Sequence, residues 1–273
     1  MLPIHVINLS RRRDRLAAIG AALDRSGLPW RRVEAIDREL IGAAHLRADF
    51  GQGAVSRLFP ATPGDMACSL THQRLWGDIA SARAEAAVVL EDDARVSDMF
   101  APLMACDLAG LMRRHGMGLL KLEYWPGPQQ SRRFPLGEDL GPVSADVRLY
   151  RMRSSFLGTC GYIITTEAAR RLLDEFPHVQ VPVDHLLFGR EAGRAFPVLR
   201  PGFLNPGLVL HDVASFGSDI RDERAMEFPD GGKRPFARRV LDWRVGRQQE
   251  AELRRGQAER VQMRLADGTD KRN

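Results

Sequence analysis

Residues 86–93 constrain this chain more than any other stretch: Ala86, Ala87, Val88, Val89 and Leu90 run directly into Glu91, Asp92 and Asp93. The apolar run is short and β-branched at its centre, which predicts a strand through the core. In an open α/β sheet the carboxyl ends of parallel strands face the ligand crevice, so the acids would sit there. Three adjacent carboxylates repel one another unless something positive lies between them. Hard oxygen ligands suit Mg²⁺ or Mn²⁺, so a divalent cation carrying a phosphate-bearing ligand would relieve that repulsion. A solvated acidic turn after a strand is the plain alternative. In extended backbone Glu91 and Asp93 would point to one side and Asp92 to the other.

The flanking chain favours an α/β domain. Residues 3–9 read as a strand, Ser10 offers a helix cap, and Leu16, Ile19, Ala22 and Leu23 recur at helical spacing before Gly27. Residues 30–36 read as a second strand. No GxGxxG follows the first strand, which disfavours a Rossmann dinucleotide site. Arg11, Arg12, Arg13 and Arg15 lie beyond the carboxyl end of the first strand, within reach of a diphosphate; a solvated helix start is the simpler account of any one of them. Residues 37–63 show no sustained period. Ala67, Leu70, Leu75, Trp76 and Ile79 then mark a helix carrying His72, which feeds directly into the acidic strand. The run GLLKLEYW predicts a further strand, with Lys121, Glu123 and Tyr124 expected along the crevice, and 126–148 reads as a long loop. A strand with Gly158 and Gly161 follows, where close approach of a ligand or a neighbouring strand is expected. Asp184 and His185 open a helix after Pro182, and Asp184 reads as either a cap or a catalytic carboxylate.

Charge and cysteine usage narrow the setting. The 40 Lys and Arg against 35 Asp and Glu give +5, and much of that excess lies at the C-terminal end. Residues from about 236 are arginine-rich with sparse apolar positions. A solvated or partly disordered tail is expected there, with a helix lying on anionic phospholipid or on a partner as the sharper alternative. Cys68, Cys106 and Cys160 suggest neither a disulfide framework nor a zinc pattern, so a reducing, cytoplasmic setting is expected. No run of about twenty apolar residues occurs, so membrane association would be peripheral.

Four stretches together resemble glycosyltransferase family 25, of the bacterial lipooligosaccharide galactosyltransferase type. INLSRRRDRL resembles the family's opening strand and arginine-bearing helix. GDMACSLTHQRLW matches G-E-x-G-C-x-x-S-H-x-x-x-W at Gly64, Cys68, His72 and Trp76. VVLEDDARVSDMF matches the strand and acidic triplet, and GTCGYIITTEAARRLL with PVDHLL resembles the later strand, helix and Asp-bearing motif. Asp65, Ala67 and Thr71 replace the usual Glu, Gly and Ser, and AIDREL lacks the usual Gly. The resemblance implies a GT-A-like α/β domain with a mixed, mostly parallel sheet over 1–220, followed by a basic, helical or partly disordered extension over 221–273. It implies an inverting, metal-dependent hexosyltransferase taking a nucleotide-sugar donor, UDP-galactose favoured, to a cell-envelope glycan or glycolipid. Asp93 and Glu91 would hold Mn²⁺ or Mg²⁺. Asn8, Arg11, Arg12, Arg15, His72, Glu91 and Asp92 would contact the nucleotide sugar, and Asp184 would be the base.

Three other readings compete. An inactive sugar-nucleotide-binding or scaffolding module of the same fold is the nearest. A phosphoryl-signalling receiver also has a strand ending in acids, but no Lys-Pro pair follows here. Nucleic-acid binding has only the basic tail in its favour, without interleaved aromatics.

Overall fold

The computed structural model describes residues 1–51, 53–127, 129–217, 220, 223, 224, 226 and 235–266. The first half alternates as the periodicity predicts: β1 (Ile4–Asn8), α1 (Arg13–Arg25), β2 (Trp30–Glu34), α2 (Ala43–Phe50), α3 (Ala54–Leu58), α4 (Pro63–Ala80), β3 (Ala86–Glu91) and β4 (Ala94–Val96). Next come α5 (Phe100–Met104), α6 (Leu108–Arg114), β5 (Leu119–Lys121), β6 (Glu123–Tyr124), α7 (Gln130–Arg133), β7 (Leu136–Pro142) and β8 (Arg148–Met152). The remainder is β9 (Gly161–Thr165), α8 (Thr166–Glu175), α9 (Val183–Phe188), α10 (Ala195–Leu199), β10 (Gly202–Asn205), β11 (Val209–His211), α11 (Val213–Phe216), α12 (Phe236–Arg254) and β12 (Glu259–Arg260).

Nine strands form one mixed sheet in the order β12-β7-β8-β10-β5-β9-β3-β1-β2. The strands β2, β1, β3, β5, β10 and β7 run one way, and β9, β8 and β12 run the other. The expected mixed α/β architecture is thus present, with a smaller β4-β11-β6 sheet beside it.

β3 lies inside the sheet between β9 and β1, and it is apolar on both faces. Ala87 and Val89 enter one core with residues of α4, α8 and α9, while Ala86, Val88 and Leu90 enter the other with residues of α1, α5 and α6. Val88, Val89 and Leu90 are each 0% exposed, and burying a side chain of this size contributes about 1.5–3 kcal/mol. Helix α4 starts sharply: Thr62 and Asp65 form a reciprocal capping box, with Pro63 just inside.

Two local expectations differ from the structure. The stretch 126–148 contains α7 and β7, and the Gly, Pro and acidic residues of LGEDLGP fit a strand held from both sides by β8 and β12. GLLKLEYW divides at Leu122, with β5 in the large sheet and β6 in the small one. Of the stretch set apart as a basic extension, 221, 222, 225, 227–234 and 267–273 lie outside the described residues. Its described part forms α12 and β12, with Val261 and Met263 in the core and Arg190 gripping Glu252 at 2.7 and 2.9 Å.

Candidate active site at the end of β3

The carboxyl end of β3 opens into a cleft of about 300 Å³. Pairing sets the two sides of the acidic motif. Residues 87, 89 and 91 share the face that looks toward α4, so Glu91 lies on that side. His72 Nε2 is 3.4 Å from Glu91 Oε1, and Thr159 Oγ1 donates to the same oxygen at 2.5 Å. Asp92 lies on the α1 side, where Asn8 Nδ2 donates to Oδ2 at 2.8 Å and Arg15 Nη1 to Oδ1 at 3.2 Å.

Asp93 does not continue the alternation. The strand ends at Glu91 and residues 92 and 93 form a turn, so Arg15 Nη1 stands 3.6 Å from Asp93 Oδ2 as well as bonding Asp92. The expected pairing of Glu91 with Asp93 on one side is therefore replaced by Asp92 and Asp93 sharing Arg15. On its other side Asp93 meets His211 at the end of β11, Nε2 to Oδ2 at 3.5 Å, and Cys160 Sγ at 3.7 Å. His211 Nδ1 in turn lies 3.7 Å from Glu123 Oε1. Glu123 Oε2 accepts from Lys121 Nζ at 2.8 Å, both side chains being 0% exposed. Lys121 also donates to Gly158 O and rests against the rings of Phe156 and Phe188, 4.9 and 4.4 Å from their centroids. Lys121 and Glu123 thus stand behind the cleft wall instead of along it. A Cβ on Gly158, at φ +107°, would strike the Glu123 carboxylate, and one on Gly161 would press on Val209. The glycine pair therefore serves close approach within the fold.

These contacts set the ionisation states. Burial pushes Asp92 up, ahead of the lowering contacts with Asn8 and Arg15, to about 6. Burial also acts to raise Asp93, but His211 and Arg15 outweigh it and hold the carboxyl below its ordinary range. Glu123 is likewise held low against burial by Lys121 and His211. His211 sits between two carboxylates, and their hydrogen bonds and charges overcome the burial that would lower it, raising it to about 10. Burial opposes the Lys121 charge and leaves it below its ordinary value despite Glu123.

Across the cleft, Asp184 lies in the first turn of α9, whose opening Val183 N–H is taken by Ser69 Oγ at 3.0 Å. Burial acts to raise Asp184, yet His185, Arg224 and Arg132 outweigh it and keep it ionised below its usual range. Arg224 is itself held by Asp65 at 2.7 Å.

The structure brings Arg11, Arg15, His72, Glu91, Asp92, Asp93 and Asp184 into the lining of one cleft. Arg11 is paired there with Asp37 at 2.5 Å. Asn8 stands behind Asp92, and Arg12 turns to Asp14 at 3.1 Å, outside the cleft lining. Arg132, His211 and Arg224 also line the cleft, and the sequence motifs do not mark them as site residues. For His211 a signal exists: Leu208, Val209 and Leu210 running into His211 and Asp212 repeat in miniature the pattern of β3.

Two donor sets could hold a metal. Asp93 offers a carboxylate oxygen, which suits Mn²⁺ or Mg²⁺, and His211 beside it adds an imidazole nitrogen only once it loses the proton that its two carboxylates hold on it. The ligand atoms of Cys68, His72 and Glu91 lie within 4.8 Å of one another. There burial keeps the Cys68 thiol protonated, its acidity well weakened, and His72 Nε2 already faces Glu91. That set fits a hard cation less well than Asp93 with His211.

The family model of Glycosyltransferase family 25 (LPS biosynthesis protein) matches residues 1–117 and 129–187. Procollagen galactosyltransferase 1-B of Xenopus laevis is 26% identical over 190 residues, covering 67% of this chain and 30% of that protein. Procollagen galactosyltransferase 2 of Homo sapiens is 28% identical over 193 residues, with 67% and 29% covered. The chain thus spans about 30% of the length of these curated relatives. The lacto-N-neotetraose biosynthesis glycosyltransferase LgtB of Neisseria gonorrhoeae is 24% identical over 290 residues, 92% of this chain and 94% of that one. The solved galactosyltransferase LgtC, in complex with donor and acceptor sugar analogs, aligns with 11% identity and a TM-score of 0.44, over 88% of this chain and 100% of that one.

Proposed function

Because this chain belongs to glycosyltransferase family 25, we propose that it moves a hexose, galactose first, from a nucleoside-diphosphate donor to a hydroxyl of a cell-envelope glycan such as lipooligosaccharide. The observation that carries this reading is the cleft in which Glu91, Asp92 and Asp93 meet Arg11 and Arg15 on one side and the ionised Asp184 on the other. The arginines suit a diphosphate by charge and by paired donors. Asp93, with Glu91 nearby in the same cleft and His211 joining once deprotonated, would hold a divalent cation. When bound, such an ion neutralises charge on the diphosphate oxygens.

The transfer is a displacement with inversion. The acceptor oxygen bonds to the anomeric carbon as the bond from that carbon to the diphosphate oxygen breaks, and the nucleoside diphosphate leaves with the electron pair. Asp184 takes the acceptor's proton. Its low basicity means that it receives the proton as the new bond forms and does not deprotonate the free hydroxyl beforehand. Arg15 holds Asp92 and Asp93 in place while Arg11 steadies the departing charge.

Helix α12 supports a peripheral place at the inner face of the cytoplasmic membrane. Among the described residues no helix is long and apolar enough to cross a membrane. Val245 is buried, and the opposite stripe of α12 carries Phe236 and Trp243, 78% and 65% exposed, between Arg239 and Arg247. Aromatic rings at the headgroup level flanked by arginines fit an anionic lipid surface. Sedimentation with anionic vesicles should fall on Trp243→Ala, and equal sedimentation of both proteins would remove this part of the reading.

The central test is a screen of UDP- and GDP-sugars with Mn²⁺ for transfer and hydrolysis. Asp93→Asn should lower turnover at least about a hundredfold while the fold persists. Full activity in a folded Asp93→Asn protein overturns the site assignment, and inertness toward every donor favours a binding module. Asp184→Asn should lower turnover far more than donor affinity.

A further inference from the structure

Behind Glu91 lies a buried chain of hydrogen bonds that the proposed transfer does not itself use. His72 and Trp76 are four residues apart on α4 and both 0% exposed, so one face of the helix presents them together. Both reach Tyr162, which β9 places beside Val89 of β3. Trp76 Nε1 donates to the Tyr162 hydroxyl at 3.1 Å, and that hydroxyl lies 2.8 Å from His72 Nδ1. The other ring nitrogen of His72 faces Glu91 Oε1 at 3.4 Å.

With a neutral imidazole in the middle, the direction of this chain follows from its two ends. An indole N–H can only donate, and an ionised carboxylate can only accept. Tyr162 therefore takes the indole hydrogen on its oxygen and gives its own hydrogen to His72 Nδ1. The single hydrogen of the neutral imidazole is then on Nε2, pointing at Glu91. Thr159 adds a second donor to the same oxygen. Glu91 Oε1 is thus occupied by two fixed donors, while Oε2 has no hydrogen-bond partner among the described residues.

We propose that His72 is a positioning residue: through Tyr162 and Trp76 it is locked as the Nε2–H form, and it orients Glu91 so that Oε2 alone is presented to the donor. In this role His72 acts through Glu91. Its place in the signature shared with Trp76 follows from this, since the two act on one hydroxyl. The link to donor binding rests on the transferase reading above; the state of the imidazole does not.

Two measurements separate these. Nitrogen-15 NMR of the metal-free protein should show His72 as a single Nε2–H form, and Tyr162→Phe should give a mixture of tautomers with the fold retained, as judged by the remaining amide spectrum. In the assay, Tyr162→Phe should raise the donor KM about fivefold, the worth of one neutral hydrogen bond, with kcat changed less. In a Glu91→Gln background the same substitution should add nothing to KM, since the two act as a unit. His72→Gln, which can still donate to Glu91, should recover part of the affinity that His72→Ala loses. An Nδ1–H form of His72, or additive effects of Tyr162→Phe and Glu91→Gln, would overturn the proposal. A correct tautomer in a protein that accepts no donor would leave the relay standing and count against the transferase reading alone.

Discussion

Two buried chains reach the acidic motif from opposite sides, and they are built on different physics. Glu91 is held by neutral donors, through Trp76, Tyr162 and His72. Asp93 is held by charge, through Arg15 on one side and through His211, Glu123 and Lys121 on the other. A neutral chain fixes geometry with little dependence on solvent conditions. An ionic chain in the interior depends on every member, because removing one leaves another buried and uncompensated. The difference assigns rigidity to one carboxylate and a tunable charge to its neighbour.

The largest effect should come from breaking the ionic side. Glu123→Ala leaves Lys121 buried without its partner and should cost about 3–5 kcal/mol in urea denaturation. The double change Lys121→Met with Glu123→Leu should recover most of that loss while leaving His211 without its Nδ1 contact. If the single and double variants are equally unstable, the pair is not the source of the cost.

The next effect is on pH dependence in the metal-free protein. His211 is raised from 6.5 to about 10, so its contribution is complete below 6.5 and is lost as pH rises through about 10. Asp93 and Glu123 are lowered from 3.8 and 4.5, so their contributions are complete above those values and fall away in stronger acid. The combined contribution of these three groups should therefore be greatest between about pH 5 and 6.5 and decline toward alkaline pH, whereas Asp92, raised to about 6, loses its own contribution as pH rises from 3.8 through about 6. His211→Asn should flatten the alkaline decline, and a profile unchanged by it would contradict the ionic description.

A smaller loss, about 1–2 kcal/mol, is expected from Tyr162→Phe, which strands the Trp76 N–H and His72 Nδ1 in the core. Thr159→Val should be smallest, about 1 kcal/mol or less, because His72 still serves the same Glu91 oxygen. A Tyr162→Phe penalty as large as that of Glu123→Ala would erase the distinction between the two chains.

Much of the neutral side is legible in the amino-acid sequence. The run into Glu91 and the helix carrying His72 and Trp76 are local patterns, set by periodicity and caps. The ionic side depends on strand order. Glu123 and His211 come together only because β6 and β11 pair in a small sheet, and Tyr162 reaches α4 only because β9 inserts antiparallel between β5 and β3. No local period reports such pairings. The one trace is Lys121 and Glu123 two residues apart inside an apolar run, a spacing that sets opposite charges on one side of extended chain. The turn at 92–93 is equally hidden, since alternation holds only while the backbone stays extended.

The short pairing of β12 with β7 has a consequence for biosynthesis. The outer edge of the large sheet is closed by one of the last described segments of the chain, after α12 has crossed the body. On the ribosome, β7 and β8 emerge well before β12 can reach them, so the nascent protein carries an open strand edge throughout the synthesis of what lies between. Such an edge can pair with a neighbouring chain. Ribosome-bound fragments ending before residue 236 should therefore recruit holding chaperones more strongly than those that include β12.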